Sequence, residues 1–305
     1  MTRWIALPII LTAATAQAAA TFPDDASYHP LHCGLSVMTD PLADQPLALG
    51  DLDVVGDLDA PAGLRAGDPN FLYLRLRLDR DPAPGGVVAS HAWGMEFDLD
   101  GDLSTYELLI MVDGIGTAAG TVSIYTNHTT TQPDDPADPA DLPAAVTSTF
   151  DGSARTIGAG STSGGDADYF VDIAVPWSAL APLGLDRGTR TYVWAGSSSV
   201  ANALDGDLAC HDAGTGGAPR LHVIVSTQTT GDPTLDPNGD GGAGDGGAVD
   251  GGAGGDGGAG GAGVRLEGGS GCQAGGSLGL GMVLGLAGVA WAGRRRPRAR
   301  SARAS

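Results

Sequence analysis

The chain has 305 residues, a formal net charge of −20 and a sequence pI near 4.3. Its sixteen basic residues are all arginine, which excludes the lysine-dependent chemistries: phosphate-loop nucleotide binding, kinase phosphoryl transfer and Schiff-base catalysis. Between residues 21 and 263 eight arginines face thirty-five acids, a net of −27, so nucleic acid and anionic lipid are not expected as partners of that part.

In chain order the first element is a secretory signal peptide over residues 1–20. Arg3 precedes the apolar run "WIALPIILTAA", and the small-residue sites "AQA" and "AAA" follow. The run falls short of the ~20 residues a membrane span needs. The mature chain therefore begins near Ala19 or Thr21, outside the cytoplasm.

Residues 21–231 read as one body. "FLYLRLRL" alternates strictly, with Leu72, Leu74, Leu76 and Leu78 on one face and Phe71, Tyr73, Arg75 and Arg77 on the other, and is expected to be a half-buried strand. "AWGMEFDL" sends Trp93, Met95, Phe97 and Leu99 inward; "DGD" then turns the chain into "YELLIMV", which makes an antiparallel hairpin. Further strands are expected at Thr121–Thr126, Asp168–Val175, Arg190–Gly196 and Arg220–Ser226, and Gln132–Ala145 is expected to be an exposed, polyproline-like insert. Of the thirty-six acids all but Glu96, Glu107 and Glu267 are Asp, which suits turns and loops better than helices. The fold class is all-β, an antiparallel β-sandwich.

Cys33 and Cys210 lie in this exported body, and such a pair reads as a disulfide. The alternative is a metal site, because His29 and His32 stand near Cys33, while His211 and Asp212 follow Cys210. "DLDGD" places Asp98, Asp100 and Asp102 in alternation with Glu107 five residues beyond, a carboxylate set that could hold Ca2+; the plain alternative is a solvated turn. No G-x-S-x-G elbow or H-E-x-x-H helix is present, and the abundance of Asp makes any one carboxylate pair uninformative about hydrolysis.

From Asp232 to Gly263 the chain is almost wholly Gly, Ala and Asp; it cannot bury a core and reads as a stalk. Residues 264–305 bring Cys272, the uncharged stretch 274–293 and six arginines in that order. By the positive-inside rule this reads as a transmembrane segment with a cytoplasmic end.

Two resemblances follow. "DPNFLYLRLRLDRD", "FDLDGD" and "GDADYFVDIAVPWSALAPLGL" resemble family-9-type carbohydrate-binding modules and the related DOMON sandwiches, with Asp172 where those modules usually carry Glu. The resemblance implies a sandwich fold whose members include sugar-binding, haem-binding and purely structural proteins. A sugar site would need exposed rings, for which Trp194, Tyr192, Tyr125 and Tyr106 are the candidates; the plain alternative puts the tryptophans in the core. The tail resembles the MYXO-CTERM type of bacterial sorting signal. That likeness implies processing and lipid attachment at Cys272 by a sorting protease, with the helix and arginines then removed. The expected function is a non-enzymatic, surface-anchored binding or adhesion domain favouring polysaccharide. The alternatives are a structural envelope protein and an exported enzyme.

Overall fold

A computed structural model of the chain describes residues 19–45, 49–116, 120–211 and 218–235. Residues 1–18 of the expected signal peptide, Cys272, the segment 274–293 and nearly all of the expected stalk lie outside the described residues. Among the described residues no helix is long and apolar enough to cross a membrane.

Three two-residue strands come first: β1 (His29–Pro30), β2 (His32–Cys33) and β3 (Ser36–Val37). They are followed by β4 (Gly63–Gly67), β5 (Phe71–Leu78), β6 (Ala92–Asp98), β7 (Leu108–Asp113), β8 (Thr121–Thr126) and β9 (Val146–Thr149). The last four are β10 (Ala154–Gly158), β11 (Tyr169–Pro176), β12 (Arg190–Ser198) and β13 (Thr229–Thr230). Every pairing is antiparallel: one sheet runs β1-β4-β5-β11-β10, another β13-β12-β6-β7-β8-β9, and β2 pairs with β3 as a separate hairpin.

The alternating leucines of β5 share one hydrophobic core with Val171, Ile173 and Val175 of β11. From the other sheet Trp93, Met95 and Phe97 of β6 and Leu108, Ile110 and Val112 of β7 enter the same core. Two antiparallel sheets joined through one apolar layer make a sandwich-like all-β body. Each such side chain, fully buried, contributes about 1.5–3 kcal/mol of transfer free energy. The β6–β7 hairpin forms as the sequence indicates, with Glu96 opposite Leu109 and Phe97 opposite Leu108. Gly101, at φ +87°, supplies the left-handed residue that its turn requires.

Three expectations need correction. First, β5 is buried on both faces, not one. Ala20, Phe22 and Tyr28 of the N-terminal segment lie over its outer side against Phe71 and Tyr73, and Arg75 stacks on Tyr28 at 3.8 Å and on Phe170 at 4.2 Å. Second, the insert 132–145 is folded back over the six-stranded sheet. Asp138 and Ala140 are buried, and Asp138 accepts hydrogen bonds from Asn127 Nδ2 (3.0 Å), Thr131 N (2.8 Å) and Gln132 N (2.7 Å). Third, Arg220–Ser226 is a turn, not a strand. Leu221 and Ile224, three apart, point into the same outer cluster, while Val223 between them is 67% exposed. Asp134 fastens this turn through Arg220 Nη1 and the backbone N–H of His222. The body also runs past residue 231: Asp232 is fully buried and bonded to Arg187 and Thr234.

Candidate functional site

The segments carrying the family resemblance are neighbours in one sheet. Their polar residues hold that sheet together. Strand register sets Asp172 of β11 opposite Arg75 of β5 and Arg155 of β10. Arg75 donates from Nε to Oδ1 (2.6 Å) and from Nη2 to Oδ2 (2.9 Å), and Arg155 Nε adds a third bond at 2.8 Å. Arg75 and Asp172 are both essentially inaccessible. Burial alone would pull the Arg75 guanidinium down, but its bonds to Asp172 and Asp25 raise it above the ordinary arginine value. The Trp177 of "PW" donates its backbone N–H to Asn70 O and its indole N–H to Asp68 O, both 2.9 Å. The end of β11 is thereby tied to the start of β5.

The rings expected to stack on sugars lie mostly inside. Trp194 is 1% exposed and donates its indole N–H to Leu221 O at 2.8 Å; Tyr106 is fully buried, with its hydroxyl on Asp138 O at 2.5 Å. Tyr125 is buried in the same outer cluster, and only Tyr192 is half-exposed. A stacked pyranose needs an open ring face. Trp194, Tyr106 and Tyr125 offer none, because the loops over the six-stranded sheet cover them.

Beneath that cover lies Glu96, fully buried, with no hydrogen-bond partner for either carboxylate oxygen among the described residues. Burial first, then the charges of Asp138 and Asp135, push its carboxyl well above the ordinary range. The unfolded chain releases the carboxyl proton above about pH 4.3, the ordinary Glu value. Glu96 therefore costs stability progressively as pH rises from there towards its folded value. Glu96→Gln should gain in stability relative to the native chain as pH rises above about 4.3, by at most about 1.4 kcal/mol per pH unit, and the gain should vanish on acidification. Urea midpoints across pH 4.5–8 test this; parallel profiles would show that Glu96 does not carry the proton.

At the β6–β7 turn, Asp98, Asp100 and Glu107 each offer an oxygen within 4.8 Å of the others. Asp102 is not part of that group; its Oδ1 takes the backbone N–H (3.1 Å) and hydroxyl (2.7 Å) of Ser104. The turn largely caps itself. Asp98 Oδ1 accepts from Asp100 N and Gly101 N, Asp100 Oδ1 from Asp102 N, and Glu107 from Leu99 N and Thr105 Oγ1. Among the described residues the buried Oδ2 of Asp98 has no hydrogen-bond partner. Burial raises the pKa of Asp98 and Glu107. A hard cation fits these oxygens, and so does a plain turn.

Sequence reasoning missed two features. One is a second carboxylate group, Asp40, Asp44 and Asp207, again with oxygens within 4.8 Å of one another. The other is a cavity of about 390 Å³ whose walls include Gln45, Asp205, Asp207 and His211 beside Pro136 and Leu204. Both depend on loops from distant parts of the chain, and no local motif marks them.

Cys33 and Cys210 form a disulfide, with their Cα atoms 5.8 Å apart. The pair is therefore not a metal site. No protein-family model, curated protein or solved structure matches the chain.

Proposed function

We propose that the chain is an exported, surface-anchored binding or adhesion protein without catalysis of its own, and that its ligand class is carbohydrate. The observation that carries this reading is the 390 Å³ cavity, which falls within the ordinary size range of small-ligand sites. Its carboxylates and His211 suit the hydroxyl groups of a sugar, and Leu204 and Pro136 suit the C–H faces. The sequence supports the setting: a signal peptide at one end, and at the other a stalk, Cys272, an uncharged stretch and an arginine cluster.

The exported chain should be retained on at least one of a panel of insoluble polysaccharides. Ala218→Trp, at the exposed rim of the cavity, should abolish retention without unfolding the body. Cys272→Ala should accumulate in the inner membrane at higher mass, whereas arrival at the surface at normal size would mean a simple membrane anchor. A native chain retained on no polysaccharide would favour the second reading, a structural envelope protein. That reading is supported by the burial of Trp194, Tyr106 and Tyr125 and by the architectural use of Asp172 and Trp177.

A further inference from the structure

We propose that Asp40, Asp44 and Asp207 hold a divalent cation, with calcium the ion their chemistry suits, and that this ion ties the segment after the β2–β3 hairpin to the segment that carries Cys210. The site stands apart from the β6–β7 turn; it shares Asp207 with the wall of the 390 Å³ cavity, but its test does not depend on the carbohydrate reading.

The first observation is the convergence itself: three carboxylates, two of them buried, whose oxygens lie within 4.8 Å of one another. The second is the state of Asp40. It is 2% exposed, and neither of its oxygens receives a hydrogen bond from any donor among the described residues. The charges that act on it are carboxylates, Asp207 first and then Asp44 and Asp53, with Asp207 also within side-chain hydrogen-bond reach. A buried acid with no donor costs free energy unless it is neutralised or given a counter-charge. At the self-capped turn the carboxylates have backbone N–H groups to satisfy them. At Asp40 there are none.

The surrounding backbone holds this geometry rigidly. Asp40 exchanges both backbone hydrogen bonds with Gly56 at 3.0 Å. Asp207 is fixed by Val54 N on Oδ2 (2.7 Å), by Leu208 N on Oδ1 (2.9 Å), and through its own N–H to Ser197 Oγ (3.1 Å). Each Asp207 oxygen keeps a second lone pair for an ion. All three ligands are hard oxygens carrying negative charge, the donor set calcium prefers and soft metals do not. The competing account is that protons neutralise the group, with Asp40 and Asp207 sharing one. It also fits the raised carboxyls of Asp40 and Asp207, the latter pushed up to about 8 chiefly by burial. A cation and a shared proton make opposite predictions for an amide replacement: an amide can take the place of a protonated acid, but it cannot replace a charged ligand.

The test uses the exported chain stripped with chelator, then titrated with calcium while thermal midpoint and ion stoichiometry by native mass spectrometry are followed. The native chain and Asp100→Asn, which weakens only the turn, should both bind calcium at this site and melt several degrees higher with it. Asp40→Asn and Asp44→Asn should each bind one ion fewer and lose the associated rise, with at least a tenfold weaker affinity. The idea is overturned if Asp100→Asn binds no ion. It is equally overturned if Asp40→Asn and Asp44→Asn keep the full stoichiometry, or if Asp40→Asn without calcium melts as high as the native chain with it, which is the shared-proton result. Should Asp40→Asn fail to fold, the half-buried Asp44 and the ion count on Asp100→Asn still decide between the two.

Discussion

Replacing Asp172 with alanine should destabilise the body by about 3–5 kcal/mol, because it strands the Arg75 guanidinium inside the five-stranded sheet. The cost comes from the poorly compensated charge: Arg75 loses both bonds to Asp172 and keeps the exposed Asp25 and the rings of Tyr28 and Phe170. A double replacement, Arg75→Met with Asp172→Leu, should recover much of that loss, since a buried ion pair gives little net stability over apolar residues of similar volume. Urea unfolding of the native, single and double variants measures both quantities. A single-variant loss under about 1 kcal/mol would mean that Asp172 is hydrated in solution and the pair is not a core element.

The second large effect is expected at the disulfide. Cys33 and Cys210 are separated by 177 residues, and cross-linking so long a loop stabilises by roughly 4–5 kcal/mol in the chain-entropy account. Cys33→Ser with Cys210→Ser should lower the unfolding free energy by about that amount. Thiol labelling of the unreduced, denatured native chain should find no cysteine other than Cys272. An unchanged urea midpoint in the double variant, or labelling at Cys33 or Cys210, would count against the bridge. The bridge also fastens the N-terminal cover of β5, because Cys210 N donates to Thr39 O at 2.9 Å just beyond the β2–β3 hairpin.

Much of the sandwich was legible because its signals are local. Alternating leucines placed β5, alternation on either side of "DGD" placed the β6–β7 hairpin, and Thr121–Thr126 bounds β8 as read. What covers the outer faces was not legible. Phe22 and Tyr28 reach Tyr73 and Arg75 from some fifty residues away in sequence, and the insert around Asp138 seals Tyr106, so Arg75 and Tyr106 read as solvent-facing. The same blindness turned Trp194 and Tyr106 into ligand candidates. Arg220–Ser226 misled for another reason: in "RLHVIV" an alternating strand and a turn burying Leu221 and Ile224 share almost the same pattern, and Asp134 decides between them. At the candidate sites, spacing alone brought Asp98, Asp100 and Glu107 together. Asp40 gives no such signal, because its partner Asp207 lies at the other end of the body.

The outermost strands of the two sheets are short: β1 and β13 have two residues each, β9 four and β10 five. Open strand edges are templates on which neighbouring molecules can build intermolecular sheet, and edges this brief leave few free N–H and C=O groups in register. β10 is further guarded by Arg155, engaged with Asp172. Copies of this body held side by side at high density would therefore meet mainly through acidic loops that repel one another, and would stay separate where longer, flatter edges would fuse into fibres.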